Sequence, residues 1–159
     1  MFNHEPADYT CPFCVLIQGG EGKHNSPQDI IYRDNDVLAF ISPRYWPNNP
    51  GHVIIVPTEH YENIYDLPLK YASNIHKVAR NVAIAFKHVY SCDGVSTRQH
   101  NEPEGGQNVW HYHLHVFPRY KGDNLYRSLA DKVFLSPEKR MMYAQRLRDY
   151  FGENNALLQ

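Results

Sequence analysis

Residues 105–119 read GGQNVWHYHLHVFPR. Imidazole recurs at every second position, as His111, His113 and His115, with Tyr112, Leu114 and Val116 alongside. Imidazole is a base, a nucleophile and a metal ligand near neutral pH. On a strand, successive side chains point to opposite faces. The three histidines would then share one face, and Trp110, Tyr112, Leu114 and Val116 would share the other. That second set is mostly aromatic or β-branched, which suits a buried sheet face. A helix would scatter the imidazoles around its axis. The spacing therefore predicts a strand with one core face and one face of imidazoles, entered through Gly105-Gly106.

CPFC, near the start, brings Cys11 and Cys14 together. A C-x-x-C pair is a redox couple, half of a zinc site or two plain structural thiols. A redox couple usually follows a strand and opens a helix. No strand pattern precedes Cys11, which favours zinc. A structural zinc site needs four ligands in a tetrahedron with none left open. His60 and His111, near strand ends, are candidates for the other two. Cys92 stands in a turn and reads as a small buried thiol. Three cysteines are too few and too odd a set for a disulfide framework, so a reducing, cytoplasmic setting is expected.

These residues need elements to position them. DIIYRDNDVLAFIS, residues 29–42, reads as two short strands around a turn at Asp34-Asn35-Asp36. RYWPNNPG, 44–51, is a turn-rich loop, and HVIIVP, 52–57, is a strand that Pro57 ends. From Leu69 to Tyr90, the apolar residues Ile75, Val78, Val82, Phe86 and Val89 fall on one helical face. Lys70, Asn74, Lys77, Asn81 and His88 lie elsewhere around that helix. SCDG at 91–94 stops it. GVSTRQH is a short strand, NEPEGG a loop, and VWHYHLHVFP the longest strand. Ser136 is a candidate N-cap with Pro137 at the first helical position, and Tyr143, Leu147 and Tyr150 line one face of a C-terminal helix. The order of elements predicts an α+β fold: a mainly antiparallel sheet of about five strands, one long helix and a C-terminal helix.

The chain has 159 residues and a formal net charge of -1. It is long enough for one domain with a real core, 1–159. It offers no basic field for polymeric nucleic acid and no cationic patch for a membrane, though a nucleotide needs only a few local donors. MFNHEPADYT lacks the basic start and apolar core of a signal peptide. The longest purely aliphatic run, VIIV at 53–56, is far too short to span a bilayer.

The run HYHLHVF resembles the His-φ-His-φ-His-φ-φ signature of the histidine triad (HIT) superfamily of nucleotide hydrolases and transferases. CPFC, IIYRDNDVLAF, PGHVIIVPTEHYENIYDL, the DG at 93–94 and GGQNVWHYHLHVFPRY follow in that family's order, over roughly residues 11–120. The tail from Lys121 is less diagnostic. The resemblance implies a two-fold homodimer with one sheet running across both subunits. It implies a purine nucleotide as substrate and no organic cofactor. His113 would be the nucleophile that attacks the α-phosphorus and forms a nucleotidyl-histidine, which water then hydrolyses. His115 and the Gln107 side chain would supply donors for the phosphoryl oxygens, with the backbone around Gly106 nearby, and His52 would touch the same cluster. In zinc-containing bacterial relatives the matching ligands are Cys11, Cys14, His60 and His111. Galactose-1-phosphate uridylyltransferases carry glutamine where His115 stands, so His115 points to hydrolysis or transfer to water or phosphate.

Three places depart from the family pattern. For the sugar, the segment after Phe40 offers Ser42 or Arg44 in place of Asp or Asn. Asn108 follows the glutamine where many relatives carry a small hydroxyl residue near the leaving group. His100 and Asn101 compete for a phosphate-contacting amide position, and Asn101 keeps the amide chemistry. Phe40, Ser42, Asn101, Gly106 and Asn108 are accordingly the expected nucleotide contacts. Two other functions use the same residues: a hydrolase with His111, His113 and His115 as catalytic zinc ligands, and a nucleotide-binding scaffold with little turnover.

Overall fold

In the computed structural model, which describes residues 2–127 and 133–154, five strands form one antiparallel sheet. They are β1 (Ile30–Arg33), β2 (Val37–Ile41), β4 (Val53–Pro57), β5 (Gly94–Gln99) and β6 (Leu114–Arg119), in the order β1-β2-β4-β6-β5. A two-residue pair, β3 (Arg44–Tyr45) with β7 (Val133–Phe134), stands apart. The helices are α1 (Pro12–Ile17), α2 (Leu69–Val89) and α3 (Pro137–Glu153). The α+β fold expected from the sequence is the fold observed. Among the described residues, no helix is long and apolar enough to cross a membrane.

The central strands are apolar on both faces because both faces are covered. Val37, Ala39 and Ile41 of β2, Val53 and Ile55 of β4, and Leu114 and Val116 of β6 meet Ile75, Val78, Val82 and Phe86 of α2. Leu38, Phe40, Ile54 and Val56 point the other way, onto Phe13 and Leu16 of α1. Each fully buried side chain of this kind contributes about 1.5–3 kcal/mol of transfer free energy. The β1–β2 turn closes as its sequence requires: Asp34 Oδ1 accepts from Asp36 N at 2.8 Å and Val37 N at 2.7 Å. α2 ends where Ser91 takes a left-handed conformation, φ 53°.

The strand expected over 109–118 is shorter. Pairing starts at Leu114, because His111 N donates to Val109 O and Tyr112 N to Tyr61 O, leaving neither for a neighbouring strand. The alternation of faces survives in this extended lead-in. Tyr112 joins Leu114 and Val116 under α2, but Trp110 leaves that set and lies with its ring 6.0 Å from His4. Two further corrections are local. Asn81, expected off the apolar face of α2, is buried. The loop at 44–51 begins with the two residues of β3.

The C-terminal helix belongs to the main core. Ala144, Leu147 and Phe151 pack beneath the sheet with α2. Arg140, 4% exposed, donates through Nε to Oδ1 of the fully buried Asp29 at 2.8 Å. The other Asp29 oxygen caps Ser26 N at 2.9 Å. Removing one partner of a buried ion pair leaves an uncompensated charge. Arg140→Ala should therefore lower unfolding free energy in urea by about 3–5 kcal/mol, and Asp29→Asn combined with Arg140→Met should recover much of that loss.

Candidate active site

β6 is flanked by β4 and β5, and this register assembles the site. Ile54 and Arg98 stand opposite His115 from the two sides. His52, just ahead of β4, is buried, with its ring 5.5 Å from that of His115. The His113 and His115 rings are 5.0 Å apart. Phe117 continues the same face by period two, and its ring stacks on His52 at 4.3 Å. His52, His113 and His115 together line a cleft of about 460 Å³.

His113 is 3% exposed. Its Nδ1 lies 2.8 Å from the carbonyl of His111. A carbonyl only accepts, so Nδ1 carries the proton and Nε2 keeps its lone pair. Burial pushes the His113 ring down to about 4, with the His100 ring adding to the shift and the hydrogen bond to His111 opposing it. Burial likewise takes His52 to about 3, and Arg98 adds to it. His115 is held well below the usual range by burial, then by His113 and His52. The cleft thus presents uncharged imidazoles near neutral pH. His52 Nε2 and His115 Nδ1 are buried and have no hydrogen-bond partner among the described residues.

His111 faces elsewhere. Its Nδ1 lies 3.4 Å from Cys11 Sγ and 3.5 Å from Cys14 Sγ, and His60 Nδ1 lies 3.2 Å from Cys14 Sγ. All four donor atoms fall within 4.8 Å of one another. Zn–S bonds of about 2.3 Å and Zn–N bonds of about 2.0–2.1 Å imply tetrahedron edges of roughly 3.3–3.8 Å. The outward nitrogens are held as this chemistry requires: His111 Nε2 on Pro57 O at 3.1 Å, His60 Nε2 on the Glu5 carboxylate at 2.9 Å. Burial pushes the Cys11 thiol up to about 12 and the Cys14 thiol up as well. A cation at the centre reverses that preference, because a coordinated thiol gives up its proton. The three triad imidazoles do not converge on one point as ligands, since His111 joins the cysteines while His113 and His115 line the cleft.

The expected nucleotide contacts divide. Ser42, Gly106 and Asn108 line the cleft. Phe40 is fully buried behind it, against Phe13. Asn101 is turned away, with its carbonyl accepting from Ile64 N and Gln99 Nε2. His100, the residue set aside, lines the cleft. Gln107 has a different task from the one expected: Nε2 donates to Glu62 O at 2.6 Å and Val109 O at 3.1 Å, and Oε1 accepts from Glu102 N at 2.8 Å. It clamps the loop that leads to His113 and has no donor left for a phosphate. Gly105 fits there because a Cβ would collide with the Asn101 carbonyl, and Gly106 adopts φ 85°.

Sequence reasoning missed Phe13, Phe117, Arg98 and the aromatic rim of the cleft. Period two extended past His115 marks Phe117. The same period on GVSTRQH puts Arg98 and His100 on one face. Phe13 carries no such signal.

The comparisons with known proteins agree with this geometry. Residues 23–122 match the HIT domain. The chain belongs to the HIT family. It is 33% identical over 114 residues to Protein hit of Bacillus subtilis, covering 71% of this chain and 74% of that protein. It is 30% identical over 107 residues to a bis(5'-adenosyl)-triphosphatase of Saccharomyces cerevisiae, covering 67% of this chain and 51% of that protein. Its fold superposes on a zinc-bound histidine triad family protein from Mycobacterium smegmatis with TM-score 0.75 and 25% identity, over 92% of this chain and 96% of that one.

The Gln107 clamp can be tested in this HIT domain. Gln107→Ala removes the partners of the buried Glu62 carbonyl and the half-buried Glu102 amide, so unfolding free energy should fall by about 1–3 kcal/mol in chemical denaturation. An unchanged midpoint would mean water replaces the clamp at no cost.

Proposed function

We propose that this protein is a nucleotide hydrolase or nucleotidyl transferase. It cleaves the α-phosphate bond of purine nucleoside phosphoramidates or dinucleoside polyphosphates through a covalent intermediate on His113. The observation that carries this reading is the state of His113: neutral, its Nδ1–H held by the His111 carbonyl, its ring lining the cleft. Nε2 then attacks the α-phosphorus in line with the leaving group. His115 and His52, each with one buried ring nitrogen that has no partner among the described residues, face the phosphoryl oxygens. Water on the opposite side of the second displacement releases the nucleoside monophosphate. The enzymatic name of the yeast relative supports the reaction class.

In this reading Cys11, Cys14, His60 and His111 hold a structural zinc, whose contribution is to join α1, the loop after β4 and the start of the triad segment. The zinc-bound mycobacterial neighbour supports that assignment. A cytoplasmic two-fold homodimer completes it. β5 is a sheet edge and offers backbone groups on which a second copy can continue the sheet.

Two displacements, each inverting phosphorus, give net retention in a substrate made chiral at the α-phosphorus. Clean inversion would rule out His113 as nucleophile. His113→Ala should lose at least about a thousandfold in kcat with nucleotide binding largely kept. The wild type should show an intact-mass adduct of one nucleoside monophosphate that the variant lacks.

For the metal, freshly purified protein should contain about one zinc per chain by elemental analysis. Cys11→Ser should lower both zinc content and melting temperature, with a smaller effect on turnover per folded molecule. Absence of zinc would sink the metal assignment and leave the histidine chemistry standing.

A further inference from the structure

The cleft has two unlike ends. Phe13, Ile54 and Val109 form an apolar wall on the side of α1. At the other end is Arg98, on the edge strand β5, opposite His115. Its guanidinium carbon lies 4.9 Å from the Tyr126 ring centre, 5.3 Å from that of Phe117 and 5.6 Å from that of Trp46. Three rings hold the cation by cation–π attraction without using any of its five N–H donors. Arg119 gives the contrast. It sits 5.0 Å from the same Tyr126 ring, but Asp123 binds its Nε and Nη2 at 2.7 Å each. Among the described residues, the Arg98 side chain has neither an ion pair nor a hydrogen bond. A guanidinium packed among rings beside a reaction centre, with its N–H donors uncommitted among the described residues, is a receptor for an anion.

His113 stands between the two ends, its ring 5.4 Å from Phe13 and 5.0 Å from His115. A nucleotide with its base on the apolar wall and its α-phosphorus at His113 directs the rest of the molecule to His115 and Arg98. We propose that Arg98 is the specificity-determining residue for the leaving group, taking the phosphate next to the α-phosphate and selecting substrates that leave as a phosphorylated nucleotide over those that leave as an amine. This rests on the proposed function and names the substrate class within it. Attack by His113 Nε2 forms an N–P bond and breaks the bond from the α-phosphorus to the bridging oxygen. That oxygen keeps the electron pair, and its phosphate leaves carrying the added negative charge beside the guanidinium. Water then breaks the N–P bond, supplying the hydroxyl of the released monophosphate and returning a proton. Charge on the leaving phosphate grows in the transition state of the first step, so the interaction accelerates chemistry as well as binding. The same positive charge also helps hold His52 and His115 neutral.

The test pairs two substrates that share the adenylyl group, diadenosine tetraphosphate and adenosine 5'-phosphoramidate. Arg98→Gln should lower kcat/KM for the tetraphosphate by about ten- to a hundredfold and for the phosphoramidate by less than about threefold. Arg98→Lys keeps the charge without the fork and should give a smaller loss of the same selectivity. Equal losses on both substrates, or no loss on the tetraphosphate, would overturn the proposal. A binding arm in the His113→Ala background separates it from the covalent reading. ADP should bind more tightly than AMP, and Arg98→Gln should abolish that difference. If the wild type turns over neither substrate, the covalent reading fails and this arm still decides Arg98. An ADP preference that persists without Arg98 would overturn it.

Discussion

The hydrogen bond from His113 Nδ1–H to the carbonyl of His111 is the interaction on which the site depends. It sets which nitrogen of His113 has a lone pair, and it fixes the direction of that lone pair. The acceptor is a backbone atom, so its position is only as good as the anchoring of residue 111. His111 is anchored three ways: its Nδ1 faces Cys11 and Cys14, its Nε2 reaches Pro57 O, and its own amide closes a tight turn on Val109. Five strands and the helices that cover both faces of their sheet can therefore be read as a frame around one carbonyl.

Phe13 links the metal-type cluster to the chemistry. It lies between the two cysteines in sequence, and its ring meets His111 at 5.8 Å and His113 at 5.4 Å, edge-on to both. A change in how Cys11 and Cys14 sit moves Phe13, and through it a wall of the cleft. The Gln107 clamp does the same from the other direction. It ties the loop before the triad to Glu62 O, while the Glu62 carboxylate accepts from the amides of His4 and Glu5. Glu5 is also the partner of His60. The N-terminal arm, the cluster and the phosphate-side loop thus form one connected set of polar contacts.

Much of this was legible in the sequence where a period was long enough to read. The alternation at 111–115 placed His113 and His115 on one face, and C-x-x-C with two histidines named the four donors that come together. What escaped depends on register and on partners distant in sequence. No local pattern says that Arg98 pairs opposite His115, because the loop of residues 100–113 between their strands sets the offset. Gln107 and Asn101 were misread for a related reason. Amide side chains bind phosphates and backbone equally well, and only the fold shows that Glu62 and Glu102 claim the first while Ile64 and Gln99 claim the second. The Asp29–Arg140 pair spans more than a hundred residues and has no spacing to give it away.

The two sides of the cleft are built with different stiffness. The floor is β4 and β6, inside the sheet, with side chains buried on both faces. The rim includes Phe134, whose strand β7 pairs with β3 over two residues and whose ring stacks on His24 at 4.0 Å. Val133 and Phe134 are more than half exposed. Few buried contacts and a short ladder place the rim at the low end of local stability, while the floor shares the global stability of the core. The buried Arg140–Asp29 pair anchors the helix that follows β7, so the rim is tethered at its base and loose at its edge. A catalytic imidazole needs fixed geometry and a bulky nucleotide needs room to enter. This division lets the same small domain supply both.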